Sequence, residues 1–194
     1  MTPEELAQSF SEDWEIACSV PIRWNGTTPE QLQSQGRGIV RTYVESISEP
    51  VVPEAVEKEI TVPVVNLETG EKLRGVEING FLDRLNPGNV PVELKTSSSS
   101  WNQWKADSSL QMTVYCYMTA FHQKQERVEG NFEVLVKNKT PKLQQFTTTR
   151  NVRHFRRMYA TIEQITAAIN NGIFYPSTSF FCSSCDYKKE CHAW

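Results

Sequence analysis

The chain has 194 residues, 39% hydrophobic and 22% charged, the balance of a globular protein long enough for one domain and its core. No apolar run reaches the ~18 residues of a bilayer span, and Met1-Thr-Pro-Glu-Glu carries acids where a secretory leader carries bases, which argues against membrane-spanning, secreted and fibrous classes. Lys plus Arg is 20 against 23 Asp plus Glu, a net charge of −3, so any nucleic-acid contact has to rest on local clusters.

Thr2-Pro3-Glu4-Glu5 has the grammar of a helix start, and Leu6, Phe10, Trp14 and Ala17 continue its stripe to Cys18. Thr28-Pro29-Glu30 repeats the signature and opens a second helix through Ile39, Tyr43 and Ile47 to about Ser48, ended by Pro50 and Pro53. Residues 59–65, 73–85 and 90–95 are β-branched and alternating, joined by the turns Glu68-Thr-Gly-Glu71 and Asn86-Pro-Gly-Asn89, which predicts an antiparallel meander. After the serine run Ser97–Ser100, Trp101 to Gln123 reads as helix, Phe132–Val136 and Leu143–Thr149 as strands, and Asn151–Asn170 as a helix closed by Asn171-Gly172. Residues 173–194 are irregular. The order implies a mixed sheet flanked by helices in one domain, 1–194.

One strand carries chemistry. Glu93 and Lys95 project from the same face, with Val92 and Leu94 expected to point the other way into the core. Pairing through the Asn86-Pro-Gly-Asn89 turn would bring Asp83 beside Glu93. Carboxylates converging with a lysine suit a divalent cation: hard oxygens hold Mg²⁺ or Mn²⁺, and the ammonium orients water or balances developing charge.

Asp83 followed by Glu93-Leu-Lys95 resembles the signature of the PD-(D/E)xK nucleases. The Gly80-Phe-Leu-Asp-Arg-Leu85 wording, the Lys95-Thr96 ending and Gln111-Met-Thr-Val-Tyr115 resemble the RecB-like branch. Gln111 and Tyr115 stand four apart, on one helical face. The resemblance implies an α/β restriction-endonuclease-like core, Mg²⁺ or Mn²⁺ as cofactor, and Asp83, Glu93, Lys95, Gln111 and Tyr115 as catalytic residues. It also implies Glu45 as a further metal ligand on a helix, four residues after a family histidine. Here that position is Arg41, which cannot bind a metal.

Five cysteines without a leader point to a reducing, cytoplasmic compartment. Cys182, Cys185 and Cys191 are spaced C-x2-C-x5-C, which suits chelation and leaves a fourth ligand to find. The spacing leaves iron–sulfur and Zn²⁺ both open, with Cys18 or His192 completing the set. The segment Ser11–Trp24 around Cys18, and Tyr175-Pro176 before the triad, resemble the AddB-like and CRISPR-associated RecB-like exonucleases. That likeness implies a [4Fe–4S] cluster on Cys18, Cys182, Cys185 and Cys191 stapling the chain ends. Cys116 is expected to be a core thiol.

From Val134 to Ile162 there are seven Lys or Arg and no Asp or Glu. Arg150, Arg153 and Arg157 are expected to share a helical face for phosphate, and Trp101 and Trp104 to stack on unpaired bases. Two functions follow. One is a metal-dependent deoxyribonuclease acting on single-stranded DNA, exonucleolytic by analogy, in recombination, repair, phage or CRISPR-related processing, with protein partners in recombination or CRISPR adaptation. The other is a catalytically inactive DNA-binding or assembly subunit of the same fold, suggested by Arg41.

Overall fold

The helix-start dipeptide Thr-Pro is used twice. Thr2 and Glu5 close a reciprocal capping box on α1 (Pro3–Ala17), and Thr28 and Gln31 close another on α2 (Pro29–Ser46). The structure, a computed structural model, describes residues 2–22, 24 and 26–193. Met1 and Trp194 of the expected 1–194 domain, and Arg23 and Asn25, of which Arg23 falls in the Ser11–Trp24 segment, lie outside the described residues. The two helices pack on each other so closely that a Cβ on Gly36 would collide with the Phe10 ring, which explains a glycine inside α2.

The sheet has strand order β1-β2-β3-β4-β5. Strands β1 (Ala55–Val65), β2 (Lys72–Asn86) and β3 (Val90–Ser97) form the expected antiparallel meander. Strand β4 (Arg127–Val136) is parallel to β3, and β5 (Lys142–Asn151) antiparallel to β4. The parallel step requires a crossover, supplied by α3 (Gln103–Asp107) and α4 (Leu110–Gln123). The expected single helix over 101–123 is therefore two. Ser109 is extended and its hydroxyl accepts from the Met112 N–H at 3.2 Å, so the serine pair breaks the helix and caps the next one.

Alternation in β4 defines the two faces of the sheet. A Cβ on Gly130 would collide with the Met112 sulfur of α4, and Phe132, Val134 and Val136 join Met112, Cys116 and Tyr117 in the core. Glu133, one residue out of phase, hydrogen-bonds Tyr43 of α2, so α2 covers the opposite face. Helix α5 (Val152–Asn170) follows β5 and adds Phe155 and Met158 to the α4 side. The chain ends in a 3-10 turn (Phe180–Ser184) and α6 (Lys188–His192), where Phe180, Phe181 and Tyr187 stay exposed. Among the described residues no helix is long and apolar enough to cross a membrane.

Candidate active site

Strands β2 and β3 pair only at Asn86–Val90, Leu85–Pro91 and Arg84–Val92, and then part. Beyond the last pair the Asp83 carboxylate takes over from the backbone: its Oδ2 accepts the Leu94 N–H at 2.8 Å. Leu82 and Leu85 both lie in the core, so the in-out alternation of β2 breaks between them, at Asp83-Arg84. Across β1, between the Val56–Arg84 and Lys58–Leu82 pairs, Glu57 adopts φ 47°. The register steps evenly across this point, with no inserted residue, and Asp83 reaches toward β3.

Glu93 and Lys95 lie opposite Phe132 and Val134, on the face that α4 covers. The expected polarity of this strand is partly reversed. Val92 is 1% exposed as anticipated, but Leu94 is 36% exposed and it is Glu93, at 2%, that is buried. The physical reason is that α4 roofs Glu93 and supplies polar partners. Glu93 Oε1 accepts the Gln111 amide at 2.7 Å and ion-pairs with the Lys95 ammonium. The same Gln111 amide donates to the Tyr115 hydroxyl at 3.0 Å, which in turn donates to the Phe81 carbonyl at 2.7 Å. Asp83, Glu93, Lys95, Gln111 and Tyr115 thus form one cluster linked by hydrogen bonds, strand and helix.

Burial pushes the Glu93 carboxyl above its usual range. Lys95 pulls the other way, the Asp83 charge adds to the rise, and the Gln111 amide opposes it. Burial likewise raises the Tyr115 hydroxyl. Glu93 Oε2 is buried and has no hydrogen-bond partner. A buried, unpartnered carboxylate oxygen next to a second carboxylate that repels it is a poor arrangement for the protein alone and a good one for a hard cation. The Asp83–Glu93 pair fits Mg²⁺ or Mn²⁺ on that ground.

Glu45 is exposed and does not join the pair: among the described residues no three His, Cys, Asp or Glu side chains converge on one ion position. Arg41 donates to both Glu4 carboxylate oxygens at 2.6 Å. Cys182, Cys185 and Cys191 line one cavity of about 150 Å³ together with His192, and Cys18 is not among its lining residues. Cys116 is fully buried, its thiol pushed up to about 12 by desolvation, as a core thiol would be.

The expected arginine face is corrected. Arg150 belongs to β5, not to a helix, and is 1% exposed. Its guanidinium donates to Thr113 and Thr148 hydroxyls at 2.8 and 2.5 Å and to the Ala106 and Ser109 carbonyls at 3.0 and 3.3 Å. It satisfies the groups freed at the α3–α4 break and has no surface left for phosphate. Arg153 and Arg157 are exposed on α5, with Lys137, Lys139 and Lys142 exposed around the β4–β5 turn. The tryptophans also differ. Trp101 packs on Phe132 at 5.3 Å beneath the Lys105 ammonium and is partly buried, whereas Trp104 is 74% exposed.

Sequence reasoning missed a second polar cluster, Tyr43, Arg84 and Glu133, on the α2 face. Arg84 donates to Glu133 Oε1 at 2.5 Å and to the Tyr43 hydroxyl at 2.8 Å, and Tyr43 donates to Glu133 Oε2 at 2.8 Å. One signal was available: Glu133 stands alone in the apolar run Phe132-Glu-Val-Leu-Val136, and a charge in a buried strand needs a partner.

With this geometry in place, comparison with known proteins is informative. The sequence model of the PD-(D/E)XK nuclease superfamily matches residues 2–192. Among curated proteins none matches. A crystal structure from Eubacterium rectale, of a protein provisionally named an exonuclease, is similar with a TM-score of 0.52 and 13% identity, covering 100% of this chain and 74% of that one. At that identity the likeness speaks for the fold. A crystal structure of SSO0001 is 14% identical, with a TM-score of 0.47 over 98% of this chain and 95% of that one, a similarity too low to argue from. The match over residues 2–192 agrees with the mixed sheet, and the chain belongs to the PD-(D/E)XK nuclease superfamily.

Proposed function

We propose that this protein is a metal-dependent deoxyribonuclease of the RecB-like type. The observation that carries the reading is the juxtaposition of Asp83 and Glu93 where β2 and β3 part, with Glu93 Oε2 buried and unpartnered and the Lys95 ammonium alongside. Asp83 and Glu93 would hold Mg²⁺ or Mn²⁺, with Glu45 a further ligand if α2 turns it inward. The bound cation supplies Lewis-acid stabilisation of the charged phosphate. Lys95 would position the attacking water and face the charge that develops at phosphorus. Gln111 and Tyr115 fix the orientation of Glu93. Water adds to phosphorus as one P–O ester bond breaks; the proton of the water passes to solvent and the departing oxygen takes one up from solvent, leaving a phosphate monoester and a free hydroxyl.

Single-stranded DNA is the favoured substrate because exposed Trp104 offers a stacking face and Arg153 and Arg157 offer phosphate contacts. Action from an end is supported only by the name of the Eubacterium rectale neighbour. Cys18, Cys182, Cys185 and Cys191 are proposed to carry a [4Fe–4S] cluster with a structural role, Zn²⁺ being the alternative. Three of these thiols share one cavity. A cytoplasmic setting, and partners in recombination or CRISPR adaptation, belong to the same reading.

A second reading, a non-catalytic DNA-binding or assembly subunit, is favoured by the Arg41–Glu4 ion pair where the family has a metal-binding histidine. Incubating anaerobically purified protein with end-labelled single- and double-stranded DNA, with Mn²⁺, Mg²⁺ or EDTA, separates the two. Metal-dependent cleavage supports the nuclease. DNA binding without cleavage under any metal supports the subunit.

A further inference from the structure

We infer that the half-buried Arg84–Glu133–Tyr43 cluster is a positioning device for Asp83, a lateral brace that spans β3 from behind and fixes the gap in which the two carboxylates meet. The strand order puts β3 between β2 and β4, and Arg84 of β2 reaches Glu133 of β4, two strands away. It does so on the α2 face, while Asp83, the preceding residue, closes the gap within the sheet by accepting the Leu94 N–H. On its β1 edge β2 stays paired past Leu82, but on its β3 edge the pairing ends at Arg84–Val92, so the ladder does not fix the spacing between β2 and β3 at Asp83. With no ladder bond to β3 beyond that pair, the Asp83–Leu94 contact and the cross-strand reach of the neighbouring Arg84 set that spacing.

The brace is built to be rigid. Arg84 and Glu133 side chains are 16% and 8% exposed, and Tyr43 closes a three-membered ring of hydrogen bonds between them. Burial and Glu133 raise the Tyr43 hydroxyl; burial works to lower the Arg84 guanidinium, but Glu133 and Tyr43 outweigh it and hold Arg84 above its usual range. A buried ion pair is weak as a source of stability, since desolvation offsets much of the attraction, but its fixed geometry can specify one arrangement of the chain. Tyr43 also ties α2, which carries Arg41 and Glu45, to the same point. Groups that orient metal ligands from outside typically change metal affinity or activity by roughly 10- to 100-fold when removed.

The metal part of this inference rests on the nuclease reading; the geometric part does not. The test is therefore made first on metal-free protein, by amide hydrogen exchange over the β3 segment containing Leu94, in wild type, Arg84→Met, Arg84→Lys and Tyr43→Phe. The brace predicts faster exchange at Leu94 in Arg84→Met and Tyr43→Phe and partial restoration in Arg84→Lys, with α4 and β5 protected as in wild type. Mn²⁺ binding, followed by loss of its free EPR signal, is then expected to weaken by roughly 10-fold or more in Arg84→Met. Unchanged exchange at Leu94 in folded Arg84→Met or Tyr43→Phe overturns the brace, whatever happens to metal. If Arg84→Met does not fold, Tyr43→Phe, which removes one hydroxyl, carries the same decision. Wild type that binds no Mn²⁺ overturns the nuclease reading, while the exchange comparison still decides the brace.

Discussion

The side-chain amide of Gln111 lies 2.7 Å from Glu93 Oε1, and the other oxygen of that carboxylate is buried without a partner. Helix α4 thus holds one oxygen of Glu93 and leaves the other free. Replacing Gln111 with Ala releases Glu93 to turn toward Lys95 alone. Turnover is expected to fall by roughly 10- to 100-fold, with DNA affinity nearly unchanged. Tyr115→Phe, which removes the bond to the Phe81 carbonyl, is expected to act in the same direction. Steady-state cleavage of a labelled oligonucleotide separates kcat from KM for both.

Glu93 should also set the acid limb of activity. Its carboxyl is raised, chiefly by burial, so a proton competes with the metal at a higher pH than for an exposed glutamate. Cleavage is expected to decline on acidification before the ordinary carboxylate range, and extra Mn²⁺ should shift that decline to lower pH. In the metal-free protein the raised pKa means that, between the unfolded and folded values, the folded state holds a proton the unfolded chain has lost. The stability contributed by this group is complete below the unfolded value and disappears as pH rises through the folded one. Glu93→Gln is therefore expected to flatten this pH dependence in the metal-free protein, besides abolishing cleavage. Thermal unfolding with EDTA at two pH values checks both statements.

The basic residues after Val134 divide by burial. Arg150→Met leaves buried carbonyls and hydroxyls of the α3–α4 break unpartnered and should cost about 3 kcal/mol of stability. Arg153→Ala and Arg157→Ala sit on an exposed face and should change stability by less than about 0.5 kcal/mol while flattening the salt dependence of DNA binding. Trp104→Ala should weaken single-stranded binding by about 1–3 kcal/mol. Denaturant melts beside salt-titrated binding isotherms distinguish these outcomes.

The cysteines make a labelling experiment discriminating. Cys116 is fully buried with its thiol raised to about 12, so it should not react with iodoacetamide in the native protein. Cys185 and Cys191 are exposed and should react once any metal is removed. Protection of Cys18 together with Cys182, Cys185 and Cys191 in the as-isolated protein, with iron and sulfide present, supports the four-thiolate cluster. Zinc content with Cys18 freely labelled contradicts it.

Much of this was legible in the sequence because it is local. The Thr-Pro helix starts, the strand pattern and the Glu93-Leu-Lys95 spacing each depend on neighbouring residues, and the fold places them as expected. What was not legible depends on distant partners. Helical spacing puts Arg150 on the face of Arg153 and Arg157, yet the chain turns from β5 into α5 between them, and the carbonyls freed by the Ser108-Ser109 break draw its guanidinium inward. Leu94 was assigned to the core because period two puts it opposite Glu93. That reasoning cannot foresee a helix that buries the charged face instead. The Arg84–Glu133 pairing, across 49 residues of sequence, has no local signature at all beyond a lone charge in an apolar strand.

The most direct test of the central claim is a comparison of wild type with Lys95→Ala, measuring Mn²⁺ binding and cleavage of end-labelled DNA on the same samples. Lys95 lies beside Glu93 without being a metal ligand, so the account expects Mn²⁺ binding to persist in the variant while cleavage falls by at least about 100-fold. Equal cleavage by the two proteins, or none by metal-loaded wild type, would contradict it.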